Sequence, residues 1–593
     1  PVAPTEDVTD DYFGIKVSDP YRPLENDTSA ATLKWVEAER KVTEDYLSTI
    51  PFRGQIRDRI TELNNYRKTG RPSKHKDGYY YYYDNDGLKN QSVLYRKKGL
   101  DGTPEIFLDP NTLSDNGTVA LTGVFFDNKQ KYTAYTISRN GSDWAEIYVM
   151  DTKTRELLPD HIEWAKFTGA SWHGDGFYYS AYDRPADGKE FSNANEYQRI
   201  YYHKLGTPQS EDKLIYEDKD HPLYFHHVSV PEDESVMILT ISGNGNGNAM
   251  KIKDLRKPDA KWITVEPTQD QTIDVVDVIN DTLYILTSHD ASRYKLVTAN
   301  VSKPERKNWK DLVPEQEGVL ENVQMAGDKM ILTYNQDAAN RAYIYDRQGN
   351  KIKEIKLPTY GQVGFSSDRD DNEAFFTFTS FLFPASVYNL DIETGEYSLY
   401  NSPEVKGFNP DDYVTEQLFY PSSDGTQVPM FLTYKKGLKR DGKNPIYLYG
   451  YGGFNISLNP GFSANRLIWL ENGGIYAQTN LRGGGEYGEE WHEAGTKMQK
   501  LNVFNDFIAA AEYLIKENWT SPEYLVAAGG SNGGLLVGAT VNMRPDLFRV
   551  AIPRVGVMDM LRYHLFTIGW NWAHDYGTSA DSQEMAQYLR DYS

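Results

Sequence analysis

The chain has 593 residues, 39% of them hydrophobic and 25% charged, an ordinary composition for a globular protein of more than one domain. Its 63 basic and 85 acidic residues give a net charge of −22, which disfavours binding to nucleic acid or to anionic membranes. It has no cysteine, which excludes disulfides, thiolate metal sites and a cysteine nucleophile, and no apolar run long enough to span a membrane.

The start "PVAPTEDVTDDYFG" lacks both the basic and the apolar segment of a signal peptide. It therefore predicts either a cytoplasmic start or a mature start after processing. The absence of free thiols suits an oxidising compartment. We accordingly expect a periplasmic or secreted protein, with a cytoplasmic location as the alternative.

Residues 1–70 are predicted to form a helical arm. In "SAATLKWVEAERKVTEDYLSTI", apolar residues recur every three or four positions, as on one face of a helix, at Trp35, Ala38, Val42, Tyr46 and Ile50. Ser29 stands where an N-cap is expected. Because a helix buries such a face against another element, we expect the arm to pack on another part of the protein.

Residues 71–405 contain a repeated strand and turn. Aromatic and β-branched residues run into polar turns at seven places, which begin at Val93, Ile147, Ile200, Met250, Tyr294, Ala342 and Val387. The intervals of about 44 to 54 residues match one four-stranded propeller blade. The repeat predicts a seven-bladed β-propeller, since leucine-rich repeats are shorter and helical repeats have a different period.

Residues 406–593 have a different sequence pattern, and the polar segment "NSPEVKGFNPDD" marks the boundary. Apolar strands such as "NPIYLYGYGG" and "YLVAAGG" alternate with helices such as "NVFNDFIAAAEYLIKEN". Apolar strands separated by helices indicate a mostly parallel, doubly wound sheet that is covered on both faces. Together with the serine motif that this region contains, the pattern predicts an α/β-hydrolase domain.

One serine stands among glycines in "VAAGGSNGGLLVGATV". Gly529 to Gly533 fit the pattern G-x-S-x-G, with a predicted strand before them and a predicted helix after them. Glycines on a sharp turn let strand and helix approach closely, so that the serine hydroxyl projects from the sheet beside the helix N-terminus. The pattern predicts that Ser531 is a nucleophile; the alternative is a glycine-rich turn with a capping serine.

A serine nucleophile needs a base, and in this fold the acidic residue and the histidine follow the serine. The histidines after Ser531 are His564 and His574, both directly after the strand "VAIPRVGV". The base of this fold comes two strands later, so we expect structural roles for both. The triad Asp and His are therefore expected to be absent from this chain, which we interpret as ending before them, with an open strand edge.

The motifs "YGYGGFNIS", "NLRGGGEYGEEWHEAG", "GGSNGGLLV", "RPDLF" and "VGVMDMLRYH" resemble the prolyl oligopeptidase family of serine peptidases, in particular its secreted bacterial branch. "DPYRPLEND" is similar to the family's start, with Pro23 in place of the usual tryptophan. The resemblance extends over the whole chain. It implies a serine endopeptidase that cuts short peptides after proline, with the arm and the hydrolase domain packed together under a propeller that restricts access.

The resemblance also implies residue roles. The oxyanion donors would be the Tyr451 hydroxyl and the Asn532 backbone N–H; packing alone is the alternative for Tyr451. A pocket for proline is expected to be flat, aromatic and uncharged. Its residues would be Phe454, Trp572, Tyr576, Val557 and Ile568, and Phe167 would reach the substrate from the propeller. Spacing alone favours core roles for them.

Two other interpretations are weaker. Arg482 and Glu486 in "LRGGGEYG" are more consistent with a structural loop than with a phosphate-binding loop, whose Lys-Ser/Thr pair is missing. No His/Asp/Glu group has metal-ligand spacing, and we expect no cofactor, no metal and no membrane or nucleic-acid partner. The expected partners are proline-containing oligopeptides, and the expected state is a monomer.

Other functions are open alternatives. An oligopeptidase B would need acidic groups for a basic P1 side chain, and a dipeptidyl peptidase would need a glutamate pair for the substrate amine, but Glu37 and Glu39 belong to the predicted arm helix. A catalytically inactive propeller–hydrolase binding protein is the alternative from another class. The joint presence of Ser531, Asn532 and Tyr451 argues against it.

Overall fold

The computed structural model describes residues 1–186, 195–243, 245–566 and 568–593. Within them the chain forms an N-terminal arm, a ring of small antiparallel sheets, and a six-stranded mixed sheet with helices on both faces. This confirms the predicted architecture of a seven-bladed propeller with an α/β-hydrolase domain. No helix in these ranges is long and apolar enough to cross a membrane.

The arm begins with the hairpin Thr9–Tyr12 and Ile15–Ser18, followed by helices α1 (Ala30–Ser48) and α2 (Arg53–Asn64). The Ser29 hydroxyl caps α1 by accepting a hydrogen bond from the Thr32 backbone N–H at 3.2 Å.

The predicted apolar stripe of α1 is only partly buried, since Val42 and Tyr46 are 53% and 69% exposed. Ion pairs also connect the arm to the hydrolase domain, from Arg59 to Glu471 at 2.7 Å and from Glu25 to Arg562 at 2.6 Å.

The first four blades each contain four antiparallel strands. Blade 1 has strands Ser73–Lys74, Tyr79–Asn85, Val93–Lys98 and Glu105–Leu108, with Lys68–Thr69 added beside its second strand. Blade 2 has Val119–Phe126, Tyr132–Arg139, Trp144–Asp151 and Leu157–Lys166. Blade 3 has Ser171–His173, Gly176–Ala181, Arg199–Lys204 and Lys213–Tyr216. Blade 4 has Phe225–Ser229, Val236–Ser242, Ala249–Asp254 and Ile263–Glu266.

The remaining blades repeat this pattern. Blade 5 has Ile273–Ile279, Thr282–Thr287, Lys295–Asn300 and Lys310–Val313. Blade 6 has Val319–Ala326, Lys329–Gln336, Ala339–Asp346 and Lys351–Ile355. Blade 7 has Gln362–Asp368, Asp371–Ser380, Phe383–Asp391 and Tyr397–Asn401. The seven repeats found in the sequence lie on the third strand of each blade.

Packing between neighbouring blades closes the ring. Each adjacent pair of blades shares its own cluster of buried apolar side chains. The cluster between blades 7 and 1 is the smallest of these, with a buried centre formed by Tyr80, Phe375 and Val387. These two blades pair no strands with each other in the described residues, so side-chain packing and the Lys74–Asp371 ion pair hold this seam.

The hydrolase sheet contains six strands, β1 (Tyr413–Pro421), β2 (Gln427–Lys435), β3 (Ile446–Tyr449), β4 (Ile475–Thr479), β5 (Leu525–Gly530) and β6 (Val550–Arg554). Their order is β1-β2-β4-β3-β5-β6, and β4, β3, β5 and β6 are mutually parallel. The sheet edge at β6 is open, with Val550 45% exposed and the following Val555 85% exposed.

Helices cover both faces of this sheet. They are α3 (Ala464–Glu471), α4 (Glu489–Glu493), α5 (Leu501–Lys516), α6 (Asn532–Met543), α7 (Ala573–Tyr576) and α8 (Gln583–Arg590). Successive side chains of β2 point to opposite faces of the sheet and enter two different apolar cores. Met430 and Leu432 pack with α5 and α6, while Phe431 packs with α2 and α3. The arm thus completes the second core, as the predicted packing of arm and hydrolase domain requires.

A buried ion pair ties the loop after β4 to α5. The Arg482 guanidinium lies 2.6 Å from the Asp506 carboxylate, which is fully buried and also accepts a hydrogen bond from the Ser422 hydroxyl. We expect Arg482→Met to lower the free energy of unfolding by roughly 3–5 kcal/mol, because it leaves a buried carboxylate without its cation. Chemical denaturation measures this. The control Arg57→Met removes a pair on the surface of α2 and should cost about 1 kcal/mol or less; equal losses in the two variants would contradict the expectation.

Candidate active site

Ser531 occupies a strained turn between β5 and α6. β5 ends at Gly530 and α6 begins at Asn532, and Ser531 between them has φ 56° and ψ −120°. Few non-glycine residues adopt this conformation, and such strain is typical of functional sites. Its backbone N–H donates to the Arg554 carbonyl at 2.9 Å, and its side chain is exposed. The structure therefore presents the serine at the carboxyl end of a parallel strand.

The glycines around Ser531 are required by close backbone contacts. A Cβ atom on Gly529 would lie 2.3 Å from the Gly533 carbonyl oxygen, and one on Gly533 would lie 2.7 Å from the Gly450 carbonyl oxygen. A Cβ on Gly534 would lie 2.6 Å from the Arg554 carbonyl oxygen. Strand, turn and helix approach one another at distances that a side chain would prevent.

Tyr451 lies beside the serine in the turn that follows β3. Its side chain is close enough to Ser531 for the two side chains to interact. Burial raises the pKa of the Tyr451 phenol, and the interaction with Ser531 acts in the opposite direction. The phenol is therefore a neutral donor at physiological pH. Asn532 is the first residue of α6, so its backbone N–H has no acceptor within the helix.

The Asn532 side chain has a role that sequence reasoning missed. It is almost fully buried, its amide donates to the Tyr451 carbonyl at 2.6 Å, and its amide oxygen accepts from the Tyr576 hydroxyl at 3.0 Å. One side chain thus connects the serine turn, the Tyr451 turn and the aromatic residues beyond it. The position after Ser531 is unspecified in the pattern G-x-S-x-G, and only the fold reveals the two partners of Asn532.

Most of the predicted pocket residues form one aromatic cluster. Phe454 packs edge-on against Tyr576, with ring centroids 5.4 Å apart, and Trp572 is nearly parallel to Tyr563 at 6.2 Å. Tyr576 is buried, whereas Phe454, Trp572 and Val557 are partly buried and pack against the same hydrolase core. The cluster is connected to the serine turn by the hydrogen bond from the Tyr576 hydroxyl to the Asn532 side chain.

Two predicted pocket residues lie elsewhere. Ile568 is half-buried directly before the turn Gly569–Trp572, and among the described residues it is outside the apolar cluster. Phe167 belongs to the propeller, is 42% exposed and contacts Phe225 edge-on at 5.4 Å. Phe225 in turn stacks on Trp570 of the hydrolase domain at 5.4 Å. Phe167 is therefore two aromatic contacts from the Trp572 turn.

A buried charged cluster lies beneath the pocket, and sequence reasoning did not find it. The Asp575 carboxylate accepts hydrogen bonds from His492 Nε2 at 2.9 Å, Lys500 Nζ at 3.1 Å and the Phe454 backbone N–H at 3.0 Å. Asp575 and Lys500 are fully buried, and His492 is 2% exposed.

These contacts shift the pKa values of Asp575 and His492. The two cations outweigh desolvation and lower the pKa of Asp575 to about 2. The neighbouring carboxylates outweigh desolvation and raise the pKa of His492 to about 9. The sequence gives little indication of this cluster, because Asp575 is 83 positions from His492 and 75 positions from Lys500 and no motif includes all three residues.

No histidine in the described ranges hydrogen bonds to Ser531. His574 contacts the Asn571 carbonyl and packs edge-on against Phe454, and burial lowers its pKa. Burial also lowers the pKa of His564, whose Nδ1 has no hydrogen-bond partner. His574 thus packs on Phe454 and His564 on Tyr563, and neither is hydrogen-bonded to the serine.

The loop "LRGGGEYG" packs internally rather than around a phosphate. Arg482 is paired with Asp506 and Asp424, and the Glu486 carboxylate accepts hydrogen bonds from the Leu458 backbone N–H at 2.9 Å and the Asn480 amide at 3.0 Å. Burial raises the pKa of Glu486 to about 7. The side chains of both residues are engaged within the loop and its neighbours.

Two acidic groups in the described part of the chain have oxygen atoms within 4.8 Å of one another, namely Asp19 with Glu25 and Asp559, and Glu232 with Asp368 and Asp370. Glu25 is already paired with Arg562, and Glu232 with Lys76 and Arg369. These basic partners account for the acidic residues as ion pairs. Neither group contains a residue that contacts Ser531.

A serine on a strand–turn–helix elbow, at the edge of a parallel sheet that faces a propeller, defines the class of propeller-capped α/β-hydrolases. Comparisons with known proteins agree. Residues 1–403 match the model of the prolyl oligopeptidase N-terminal β-propeller domain, and residues 460–593 match the model of the prolyl oligopeptidase family. The chain belongs to the prolyl oligopeptidase family.

Individual relatives are similar over nearly the whole chain. A prolyl endopeptidase of Elizabethkingia meningoseptica is 48% identical over 99% of this chain and 83% of its own length. A solved structure from a study of two prolyl endopeptidases has a TM-score of 0.95 and 35% identity, covering 100% of this chain and 87% of the other. Prolyl oligopeptidase B of Galerina marginata, solved with a 35-residue substrate, has a TM-score of 0.95 and 30% identity over the same shares.

The glycine contacts predict a matched pair of variants. Gly534→Ala should lower the free energy of unfolding by roughly 1–3 kcal/mol, because its Cβ meets the Arg554 carbonyl at 2.6 Å and backbone has little room to yield. Gly530→Ala should change it by about 0.5 kcal/mol at most, since its nearest neighbours are 3.9 Å away. Thermal unfolding compares the two; an equally stable Gly534→Ala would show that the turn tolerates a side chain.

Proposed function

We propose that this protein is a serine endopeptidase that hydrolyses short peptides on the carboxyl side of proline through an acyl-enzyme. The observation that carries the proposal is the position of Ser531, which lies on a strained elbow where its side chain interacts with Tyr451, and whose neighbour Asn532 is hydrogen-bonded to Tyr576 of the aromatic cluster. The names of the relatives support the same activity.

In the proposed reaction, the Ser531 hydroxyl oxygen attacks the carbonyl carbon of the P1 residue and loses its proton to a histidine base. We assign neither this histidine nor its acidic partner to a residue named here, since no described histidine hydrogen bonds to Ser531. The carbonyl oxygen becomes an oxyanion that accepts hydrogen bonds from the Tyr451 hydroxyl and the Asn532 backbone N–H. The amine then leaves with a proton, and water hydrolyses the ester to free Ser531.

The pocket favours an uncharged P1 ring. Phe454 and Trp572 are partly buried aromatic residues that offer flat apolar surface to a pyrrolidine. A basic P1 side chain would need an accessible carboxylate. Asp575 is adjacent, but it is fully buried and already paired with His492 and Lys500. This pairing argues for proline and against the oligopeptidase B alternative.

The propeller is proposed to limit the size of substrates. It contacts the hydrolase domain next to the pocket, where the Tyr294 hydroxyl donates to Glu489, the Ser292 carbonyl accepts from the Glu489 backbone N–H at 2.9 Å, and Phe225 stacks on Trp570. Phe167 extends from the propeller toward the same region. Folded proteins would be excluded from a site that is covered in this way.

Replacement of Ser531 tests the nucleophile and separates an enzyme from an inactive binding protein. In the complete gene product, Ser531→Ala should reduce kcat on the order of 10⁴-fold or more and abolish labelling by a fluorophosphonate, with an unchanged melting temperature. Ser521→Ala removes a serine on an exposed turn near the Glu523 side chain and should leave both readouts unchanged. Residual activity within about tenfold of wild type in Ser531→Ala would exclude this serine as the nucleophile.

Replacement of Trp572 tests the pocket. Trp572→Ala should lower kcat/KM for a peptide with proline at P1 by roughly tenfold to several hundredfold, through lost burial and ring contact. The control Trp469→Ala removes a tryptophan from the opposite face of the sheet and should cost stability without changing P1 preference. Peptide series that differ only at P1 measure this. Equal wild-type rates on proline, arginine and phenylalanine would refute the proposed specificity.

A further inference from the structure

The charged cluster beneath the pocket connects segments that come from distant parts of the chain. Asp575 lies on α7 between Trp572 and Tyr576, His492 lies on α4, and Lys500 directly precedes α5. All three side chains are buried, so none can bind a substrate directly. Burying charges is costly, and a cluster of this kind needs well-formed internal contacts. Those contacts lead to the pocket.

The first contact fixes the turn that carries Phe454. Both Phe454 and Asn455 have φ 57°, a left-handed conformation that is unfavourable for residues with side chains. Such a turn persists only where surrounding contacts hold it. The Phe454 backbone N–H donates to Asp575 Oδ1 at 3.0 Å, which is a hydrogen bond to a charged acceptor and therefore stronger than a neutral one. Asp575 thereby holds the backbone turn that carries the Phe454 ring.

The second contact extends to the Tyr451 turn. Lys500 Nζ donates to Asp575 Oδ2 at 3.1 Å and to the Gly452 carbonyl at 3.1 Å. Gly452 directly follows Tyr451, so one buried ammonium joins the turn of the oxyanion donor to the helix of the pocket. His492 Nε2 completes the arrangement by donating to Asp575 Oδ1 at 2.9 Å. The carboxylate is thus fixed from three directions.

We propose that Asp575 is a positioning residue for P1 recognition, acting through Phe454 and the Tyr451–Gly452 turn, and that His492 and Lys500 hold its carboxylate in place. The inference rests on the proposed function, because it concerns the pocket that function requires. It assigns no contact with substrate to Asp575. Its effect is on the ring that forms one wall of the pocket.

The test is Asp575→Asn in the complete gene product, which keeps the size of the side chain and removes its charge. Rates are measured on two peptides that differ only in proline or alanine at P1. We expect kcat/KM for the proline peptide to fall about tenfold or more, the change that loss of a charged hydrogen bond produces, and to fall less for the alanine peptide. The preference for proline over alanine should therefore narrow.

Two further variants keep the test decisive. Asp506→Asn removes an equally buried, ion-paired aspartate of the same domain that makes no hydrogen bond to a pocket residue, so it should lower stability and leave the proline-to-alanine ratio unchanged. His492→Gln keeps a donor toward Asp575 without the charge, and it decides the matter if Asp575→Asn does not fold. An unchanged ratio in both cluster variants would overturn the inference. A wild-type enzyme without preference for proline would instead overturn the proposed function.

Discussion

The close approach of backbone atoms around Ser531 is the constraint on which the rest of the site depends. The Gly450 carbonyl from the turn after β3, the Gly533 carbonyl from α6 and the Arg554 carbonyl from β6 all lie where side chains on the motif glycines would have to be. Because the turn after β3 is packed against the elbow in this way, Tyr451 reaches Ser531. The same steric requirement therefore produces the strained serine and brings the proposed oxyanion donor, Tyr451, to it.

A second layer of polar contacts connects this elbow with the propeller. The Asn532 side chain links the elbow to Tyr451 and Tyr576, and Asp575 lies directly before Tyr576. His492 Nδ1 is 3.7 Å from Glu489, which in turn accepts a hydrogen bond from Tyr294 in blade 5. The contact between Tyr294 of the propeller and Glu489 of the hydrolase domain is thus connected, through His492, to the charged cluster around Asp575.

The sequence was sufficient for the parts of the molecule that repeat or that carry a strict local motif. Regular spacing identified the seven blades because each blade must bury the same two faces. The serine elbow could be predicted from its glycines, because close backbone contacts exclude side chains at those positions. Family resemblance assigned Phe454, Trp572, Tyr576, Val557 and Ile568 to one pocket. In the structure the first four belong to one apolar cluster, and Ile568 lies outside it. The partial exposure of the α1 stripe was not foreseen either.

The charged cluster could not be predicted from one sequence. Asp575 follows His492 by 83 positions and Lys500 by 75 positions, and each of the three alone resembles an ordinary surface residue. Only the fold brings them together, and only burial makes their pairing obligatory. The two partners of the Asn532 side chain were invisible for the same reason, because long-range packing determines them.

The most direct test of the account is a crystal structure of the complete protein after reaction with a peptidyl phosphonate that carries a proline analogue at P1. The account predicts a covalent bond from phosphorus to the Ser531 hydroxyl oxygen. It also predicts a phosphonate oxygen within hydrogen-bond distance of the Tyr451 hydroxyl and the Asn532 backbone N–H, with the pyrrolidine ring against Trp572 and Phe454. An adduct on another residue, or a ring bound away from these aromatic side chains, would contradict it.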